Sequence, residues 1–342
     1  MISCRSGACA ILVGERLQNL PAHLPDCRPI IVTDANVGGL YRENFPPAAV
    51  ITLTAGESSK SLAVVKDIYG QLLDLEADRS SFIVAVGGGV VCDVAGFVAS
   101  TYMRGVRFGF VATSLLAQVD AAVGGKNGVN FGGYKNLVGT FNQPAFVICD
   151  LSLLKTLPEK ELRCGLAEVV KHALIKDAAL LTFLENNGAS IRALEPGVIE
   201  RLVTDSVAIK SAVVNQDEKE SGQRRILNFG HTFGHALEHL LHLSHGEAVS
   251  IGMVMAAEIS VNRGLMSAAD AARIRRLLKS LALPTCAEAD PDHLIAALRK
   301  DKKRESDRLH YVLLRGIGKA VVEAVPLGEL KRHLRQVLPR MR

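Results

Sequence analysis

Short apolar runs rich in β-branched residues recur through the first 150 residues, at Cys9–Val13, Pro29–Thr33, Val50–Leu53, Phe82–Val86, Gly109–Ala112 and Ala145–Cys149. Runs that are apolar at nearly every position, rather than at alternate ones, read as strands buried on both faces of a parallel sheet. Between the third and fourth, SKSLAVVKDIYGQLLDLE (59–76) carries a helical period, with Ser58 or Ser59 as its N-cap. Strand alternating with helix predicts a doubly wound α/β domain over residues 1–150. After Asp150 the period changes. Glu159–Lys176, Val198–Asn215, His231–Leu243, Glu247–Arg263 and Ala268–Leu281 all read as helices, followed by one strand pair, LHYVLL and KAVVEAV, joined by RGIG. The fold class is therefore α/β: a parallel-sheet domain, then a mostly α-helical domain over residues 151–342.

Composition narrows the function. The 342 residues are 48% hydrophobic and 22% charged, with a net charge of +5, which is small for a chain of this length. No arginine-rich arm with interleaved aromatics is present, so nucleic acid is not the expected partner, and small anions fit the excess better. The seven cysteines are scattered and contain no CxxC, which indicates neither a disulfide framework nor a thiolate zinc site. Reduced thiols suit the cytoplasm. No apolar run approaches the roughly 18 residues of a membrane span, and the run after Ala8 is too short for a secretory signal.

The chemistry-bearing residues cluster. RRILNFGHTFGHALEHLLHLSHGE (224–247) holds five of the ten histidines. His231 and His235 are four apart and share a helix face; His245 opens the next helical run, followed by Glu247. His231 and His245 are candidate metal ligands, since zinc takes imidazole and carboxylate readily. His239 and His242 read as the polar face of the same helix. In CGLAEVVKHALI, Glu168 and Lys171 sit inside an apolar helix. They can form an intrahelical pair, but an inward carboxylate is costly unless paired or metal-bound, so Glu168 is the candidate third ligand.

Two glycine-rich stretches suit anionic ligands. FIVAVGGGVVCDVAGF places Gly87, Gly88 and Gly89 between a strand and a helix start, where backbone and helix dipole favour phosphate; a tight turn is the alternative. Asp34, ending a strand, suits a ribose or plain turn chemistry. TSLLAQVDAAVGGKNGVNFGGYKNLVGTFNQP surrounds Asp120, Lys126, Lys135 and Asn136 with glycines, as either a phosphate- or polyol-binding loop or a flexible surface loop. Lys210 and Arg224 flank the acidic NQDEKE.

Taken together, GESSK (56–60), GGGVVCDVAGFVASTYMRGVRF (87–108), TSLLAQVDAAVGGKNGVN through KNLVGTFNQP (113–144), TLPEKELRCGLAEVVKHALI (156–175), DEKESGQRRILNFGHTFGHALE (217–238), HGEAVSIGM (245–253) and DKK (301–303) resemble, in order, the 3-dehydroquinate synthases. These are sugar-phosphate cyclases of the shikimate pathway. The resemblance implies a Rossmann-like N-terminal domain holding NAD, a helical C-terminal domain holding zinc or cobalt, and a homodimer. It puts the metal on Glu168, His231 and His245. NAD would contact Asp34, Glu57, Lys60, Gly87, Gly88, Gly89, Asp93, Thr113, Ser114, Lys126, Lys135 and Thr156. The substrate would be held by Asp120, Lys126, Asn136, Lys171, Lys210, Arg224, Asn228, His235 and the Lys302/Lys303 pair, with Arg104 reaching the phosphate of the neighbouring subunit's substrate. Lys126, His235, Arg224, Lys171 and Asn228 would carry the catalysis, His235 as a proton relay. Cys92 stands where the family usually has glycine, Ser114 where a second threonine is common, and Asn127 where threonine is frequent.

The implied activity is that of a carbon–oxygen lyase acting on phosphates. 3-Deoxy-D-arabino-heptulosonate 7-phosphate would become 3-dehydroquinate and phosphate by transient oxidation with NAD, phosphate elimination, re-reduction and an intramolecular aldol closure. Three rivals share parts of this pattern: a sister cyclase making another carbocycle, a metal-dependent alcohol dehydrogenase, and a non-enzymatic regulator. The lysines and the Glu-His-His set favour the first reading.

Overall fold

The computed structural model describes residues 2–6, 9–298, 304–305 and 308–338. The chain divides into two compact units, residues 1–162 with 199–219, and residues 163–198 with 220–342. The expected strands of the first unit form, as β2 (Cys9–Val13), β3 (Pro29–Asp34), β4 (Ala49–Leu53), β5 (Phe82–Gly87), β6 (Arg107–Ala112) and β9 (Phe146–Cys149). Ahead of them lies β1 (Ile2–Ser6), and between the last two a hairpin of β7 (Lys126–Phe131) and β8 (Tyr134–Phe141). The seven-stranded order is β1-β2-β9-β6-β5-β3-β4, parallel except for the antiparallel β1 edge.

This order explains the apolar runs. Ile30, Ile31, Val32, Ile83, Val84 and Val86 are all 2% exposed or less, because layers cover both faces of the central strands. Phe82 and Phe146 stack with ring centroids 5.8 Å apart, and Leu12, Leu17, Leu20 and Ile148 complete the cluster. The chain runs from β3 outward to β4 and then returns to β5 on the other side of β3. The strand direction of travel thus reverses between β3 and β5, and ligands bind beyond the carboxyl ends at such a point. Those ends carry Asp34 and Gly87.

Helices α1 (Ala35–Tyr41), α2 (Leu62–Asp74) and α3 (Gly89–Thr101) follow β3, β4 and β5. The N-cap of α2 is Ser61, which accepts from the Val64 amide at 3.4 Å, rather than Ser58 or Ser59. Ser59 is committed elsewhere: it lies in a tight turn of residues 57–59 and donates its hydroxyl to Thr54 O at 2.5 Å. The glycine-rich stretch expected as a loop is the β7–β8 hairpin, paired from Lys126↔Phe141 to Phe131↔Tyr134.

Helix α4 (Glu159–Lys176) carries the chain into the second unit, where α5 (Ala178–Asn186) and α6 (Gly188–Arg192) follow. Most of α7 (Pro196–Gln216) belongs to the first unit. The second unit continues with α8 (His231–Leu241), α9 (His245–Asn262), α10 (Ala268–Ser280) and α11 (Pro291–Leu298). It ends in a three-stranded sheet of β10 (Arg304–Glu305), β11 (Arg308–Leu314) and β12 (Ala320–Pro326), then α12 (Leu327–Val337). The expected strand pair is present as β11 and β12, antiparallel from Arg308↔Pro326 to Leu314↔Ala320. No helix of the described residues is long and apolar enough to cross a membrane.

Close backbone approach draws α4, α8 and α9 together. A Cβ on Gly252 of α9 would stand 1.9 Å from Gly230 O, at the start of α8. One on Gly246 would stand 2.4 Å from the Cα of Cys164 in α4. Both partners are backbone atoms, which cannot rotate away. Gly252→Ala is therefore expected to destabilise the protein by about 1–3 kcal/mol, read as a lower denaturant midpoint. Gly70→Ala, in an exposed position of α2 with nothing within 4 Å, is expected to raise stability by about 0.5–1 kcal/mol.

Candidate functional site

In the first unit the carboxyl ends of the strands gather the residues expected to meet a cofactor. Gly88 is the N-cap of α3 and brings no side chain to the cap. A Cβ there would meet Ser114 Oγ at 3.3 Å, and one on Gly89 would meet the Ala121 Cβ at 3.1 Å. Glycine at the start of α3 thus lets Ser114 and Ala121 pack close to a helix N-terminus, the kind of end that suits a phosphate group. Thr113 follows β6 beside it, its amide donating to Gly87 O at 3.0 Å. Cys92 is buried within α3, its thiol 3.8 Å from Gly87 O. Asp34 caps α1, one carboxylate oxygen accepting from the Asn36 and Val37 amides at 2.9 Å. Thr156 Oγ1 meets the Tyr41 hydroxyl at 2.5 Å.

Three ion pairs hold most of the other candidate residues of this unit. Lys60 pairs with Asp93 of α3, both largely shielded. Burial pushes the Asp93 carboxyl up, while the Lys60 ammonium opposes the rise. Glu57 accepts from Asn130 Nδ2 at 2.8 Å and stands 3.9 Å from Lys135 Nζ, which ties the hairpin tip to the 57–61 segment. Asn136, in the left-handed region at φ 51°, donates its amide to Asn130 Oδ1 at 2.9 Å. Asp120 lies on a π-helical turn of residues 117–121, and Lys210 of α7 donates to its carboxylate and to its carbonyl, each at 2.6 Å. Lys126 is exposed, its ammonium 6.0 Å from the Phe141 ring centroid. Arg104 is exposed in a turn where Met103, Arg104 and Gly105 all have positive φ.

The second unit brings together three residues that could hold a metal ion, Glu168, His231 and His245. Glu168, fully buried in α4, directs Oε1 to His231 Nε2 at 3.6 Å and to His245 Nε2 at 3.4 Å. Its other oxygen, Oε2, accepts from Lys171 one turn on. The expected intrahelical pair with Lys171 is thus made by one oxygen, while the other faces the two imidazoles and stays available to a metal. Three donors at tetrahedral angles around zinc, with bonds of about 2.1 Å, would be about 3.4 Å apart. The two separations from Glu168 Oε1 fit. Zinc's preference for imidazole and carboxylate fits as well.

Surrounding groups orient the donors. His231 Nδ1 faces Phe229 O at 3.2 Å, which leaves Nε2 to the centre. His245 Nδ1 is 3.9 Å from Glu238 Oε2, a carboxylate–histidine arrangement common behind metal ligands. Burial alone would lower the His245 pKa. Hydrogen bonds to Glu168 and Glu238, with their charges, outweigh it and lift the value to about 9. His235, exposed one turn along α8, sets its ring edge-on to His231 with centroids 5.3 Å apart. A second triplet of candidate donors, His235, Glu238 and His245, shares this wall.

Arg224 is buried in a turn of residues 223–228, and Asn228 ends that turn with its amide bonded to Glu220. His239 and His242 are exposed, and His242 ends α8 at φ 53°. Glu247 serves the cap of α9, accepting from the Ser244 amide at 2.9 Å and hydroxyl at 2.6 Å. Lys302 and Lys303 lie outside the described residues. Sequence reasoning missed Glu238 and Glu220. Glu238 follows His235 by three positions and so shares its helix face, a signal that was available.

A family model described as 3-dehydroquinate synthase N-terminal matches residues 50–164, and one described as 3-dehydroquinate synthase C-terminal matches residues 165–304. A 3-dehydroquinate synthase of Symbiobacterium thermophilum is 46% identical over 314 residues, covering 88% of each chain. Among solved structures, 2-epi-5-epi-valiolone synthase from Streptomyces hygroscopicus with NAD+ and Zn2+ bound gives a TM-score of 0.90 at 31% identity over 99% of both chains. A 2-deoxy-scyllo-inosose synthase complexed with carbaglucose-6-phosphate, NAD+ and Co2+ gives 0.86 at 29% identity, over 96% of this chain and 97% of that one.

Removing a donor should empty the centre without unfolding the chain. His231→Ala is expected to lose retained zinc on dialysis, measured by elemental analysis, while circular dichroism stays unchanged. A variant that keeps its full metal content would refute the ligand assignment.

Proposed function

The chain belongs to the 3-dehydroquinate synthase family, and from that membership we infer that it converts 3-deoxy-D-arabino-heptulosonate 7-phosphate to 3-dehydroquinate and phosphate. Identity of 46% to a 3-dehydroquinate synthase, against 31% and 29% to cyclases that form other rings, favours this substrate. The single observation that carries the chemistry is the convergence of Glu168, His231 and His245 on one point, with Lys171 hydrogen-bonded to the same carboxylate.

Glu168, His231 and His245 would hold zinc or cobalt. NAD would be held by Asp34, Glu57, Lys60, Gly87, Gly88, Gly89, Asp93, Thr113, Ser114, Lys126, Lys135 and Thr156. When bound, the metal supplies Lewis acidity toward substrate hydroxyls and NAD a reversible hydride acceptor. The chain's own residues do the rest. Lys171 holds the Glu168 carboxylate in place and adds a positive charge beside it. Lys126, Lys210, Arg224 and the Lys302/Lys303 pair supply positive charge for the substrate's carboxylate and phosphate, and stabilise the charge on phosphate as it departs. Asp120, Asn136 and Asn228 would orient hydroxyl groups. His235 is suited to move a proton at an imidazole nitrogen, being exposed and next to the ligand His231.

No disulfide joins the cysteines among the described residues, which suits a reducing compartment, and we assign the enzyme to the cytoplasm. We also propose a homodimer in which Arg104 reaches the partner's substrate phosphate. An exposed guanidinium on a left-handed turn is consistent with a group that acts outside its own subunit.

Phosphate release from 3-deoxy-D-arabino-heptulosonate 7-phosphate, followed together with absorbance at the NADH band, tests the activity. Release that needs both metal and NAD, stops with chelator and leaves no net NADH is expected. Accumulating NADH would indicate a dehydrogenase instead. The shared site is tested by complementation. Arg104→Ala and His231→Ala should each be nearly inactive, whereas dimers reassembled from equal amounts should regain about a quarter of wild-type activity, because half are mixed and each mixed dimer has one intact site. No recovery would refute the cross-subunit role.

A further inference from the structure

Lys126 opens β7 and is exposed, whereas its neighbour Asn127 points to the opposite face and is 4% exposed. The Asn127 carboxamide nitrogen donates to Gly125 O at 3.2 Å and to Asn142 O at 2.8 Å. Both partners are acceptors, so the carboxamide has one workable orientation, nitrogen toward them and oxygen toward α3. Helix α3 carries a glycine at that spot: a Cβ on Gly96 would lie 2.2 Å from Asn127 Oδ1.

The bonds extend on either side. The Asn142 amide donates to Gly125 O at 2.8 Å. The Asn142 side chain donates to Ser100 Oγ at 3.1 Å, and Ser100 donates to Gly96 O at 2.6 Å. Lys126 pairs across the hairpin with Phe141. The residue before Lys126 and the residue after its cross-strand partner are therefore joined through one buried carboxamide, and both are anchored to α3. A lysine is a point charge on a flexible stem, so its aim depends on the backbone that carries it.

We propose that Asn127 is a positioning residue for Lys126, seated against Gly96 and fixing the root of the β7–β8 hairpin from which the ammonium reaches the substrate. The proposal rests on the assignment of Lys126 as a substrate contact. Threonine at this position has one hydroxyl hydrogen and could not donate to both carbonyls at once.

Asn127→Asp keeps the volume but turns an acceptor toward two carbonyls. Gly96→Ala attacks the same seat from the helix, leaving Asn127 itself intact. Each is expected to lower kcat/KM by about tenfold or more, since a misplacement of about 1 Å can cost roughly a hundredfold. In a Lys126→Ala background neither should lower it by more than about twofold, because residues acting as a unit are not additive. Zinc content should stay at the wild-type level in all of them. A stability readout needs no activity: Gly96→Ala should lower the unfolding midpoint alone, and Asn127→Ala should relieve that loss by emptying the seat. Full additivity in the Lys126→Ala background, or wild-type kcat/KM in both single variants, would overturn the proposal. If Lys126→Ala itself keeps wild-type kcat/KM, the assignment of Lys126 falls and the positioning role falls with it. Loss of activity in Lys126→Ala with none in Gly96→Ala or Asn127→Asp would remove the positioning role alone.

Discussion

The second unit is organised by a carboxylate taken out of water. Glu168 is completely buried in an apolar helix, and an isolated ionised group there would cost several kcal/mol. Two kinds of partner offset that cost. Lys171 neutralises one oxygen within the same helix, and two imidazoles face the other. Because those imidazoles come from α8 and α9, the helices must approach α4 closely, and they do so where glycine leaves no side chain in the way. The packing of three helices and the geometry of three donors are one constraint seen at two scales.

The first unit depends on a different constraint, the burial of its sheet on both faces. With the strand interiors almost wholly apolar, and Thr33 spent on the Val86 carbonyl, the candidate ligand-binding groups collect at the strand ends and in the turns that follow. That is where Asp34, Gly88, Gly89, Thr113 and Ser114 lie. Charged residues farther along the chain are held in pairs, Lys60 with Asp93 and Lys210 with Asp120. Such pairing keeps both charges within a partly buried surface while leaving geometry, rather than net charge, to set what they bind.

The legible parts of this fold were those where a single local rule decides. Buried parallel strands read directly from apolar runs, and Glu168 stood out because a carboxylate inside an apolar helix needs a reason. His231 and His245 drew notice as candidate ligands because they are imidazoles beside glycines at helix ends, and the structure brings both to the same Glu168 oxygen. What stayed hidden depended on partners distant in sequence. Ser61 caps α2 while Ser59 is engaged with Thr54, a choice among neighbouring serines that composition cannot make. The β7–β8 hairpin read as a loop because its glycines and asparagines break the alternation that marks a strand. Glu238 was not singled out among the acids of the chain, and Glu247, noted only as following His245, is the capping partner of Ser244. In both cases the chain position was informative, but the direction of the side chain was set by tertiary packing.

Glycine links these cases. At Gly246 and Gly252 the missing side chain admits backbone, so helices close around Glu168, His231 and His245; at Gly96 it admits the Asn127 carboxamide. Each lies in a helix, where glycine costs roughly 1 kcal/mol relative to alanine. That local cost is offset by contacts no larger residue would permit, and the contacts fix where donors and charges point. Placement of the functional groups in this protein is thus set as much by positions without side chains as by the side chains that perform the chemistry.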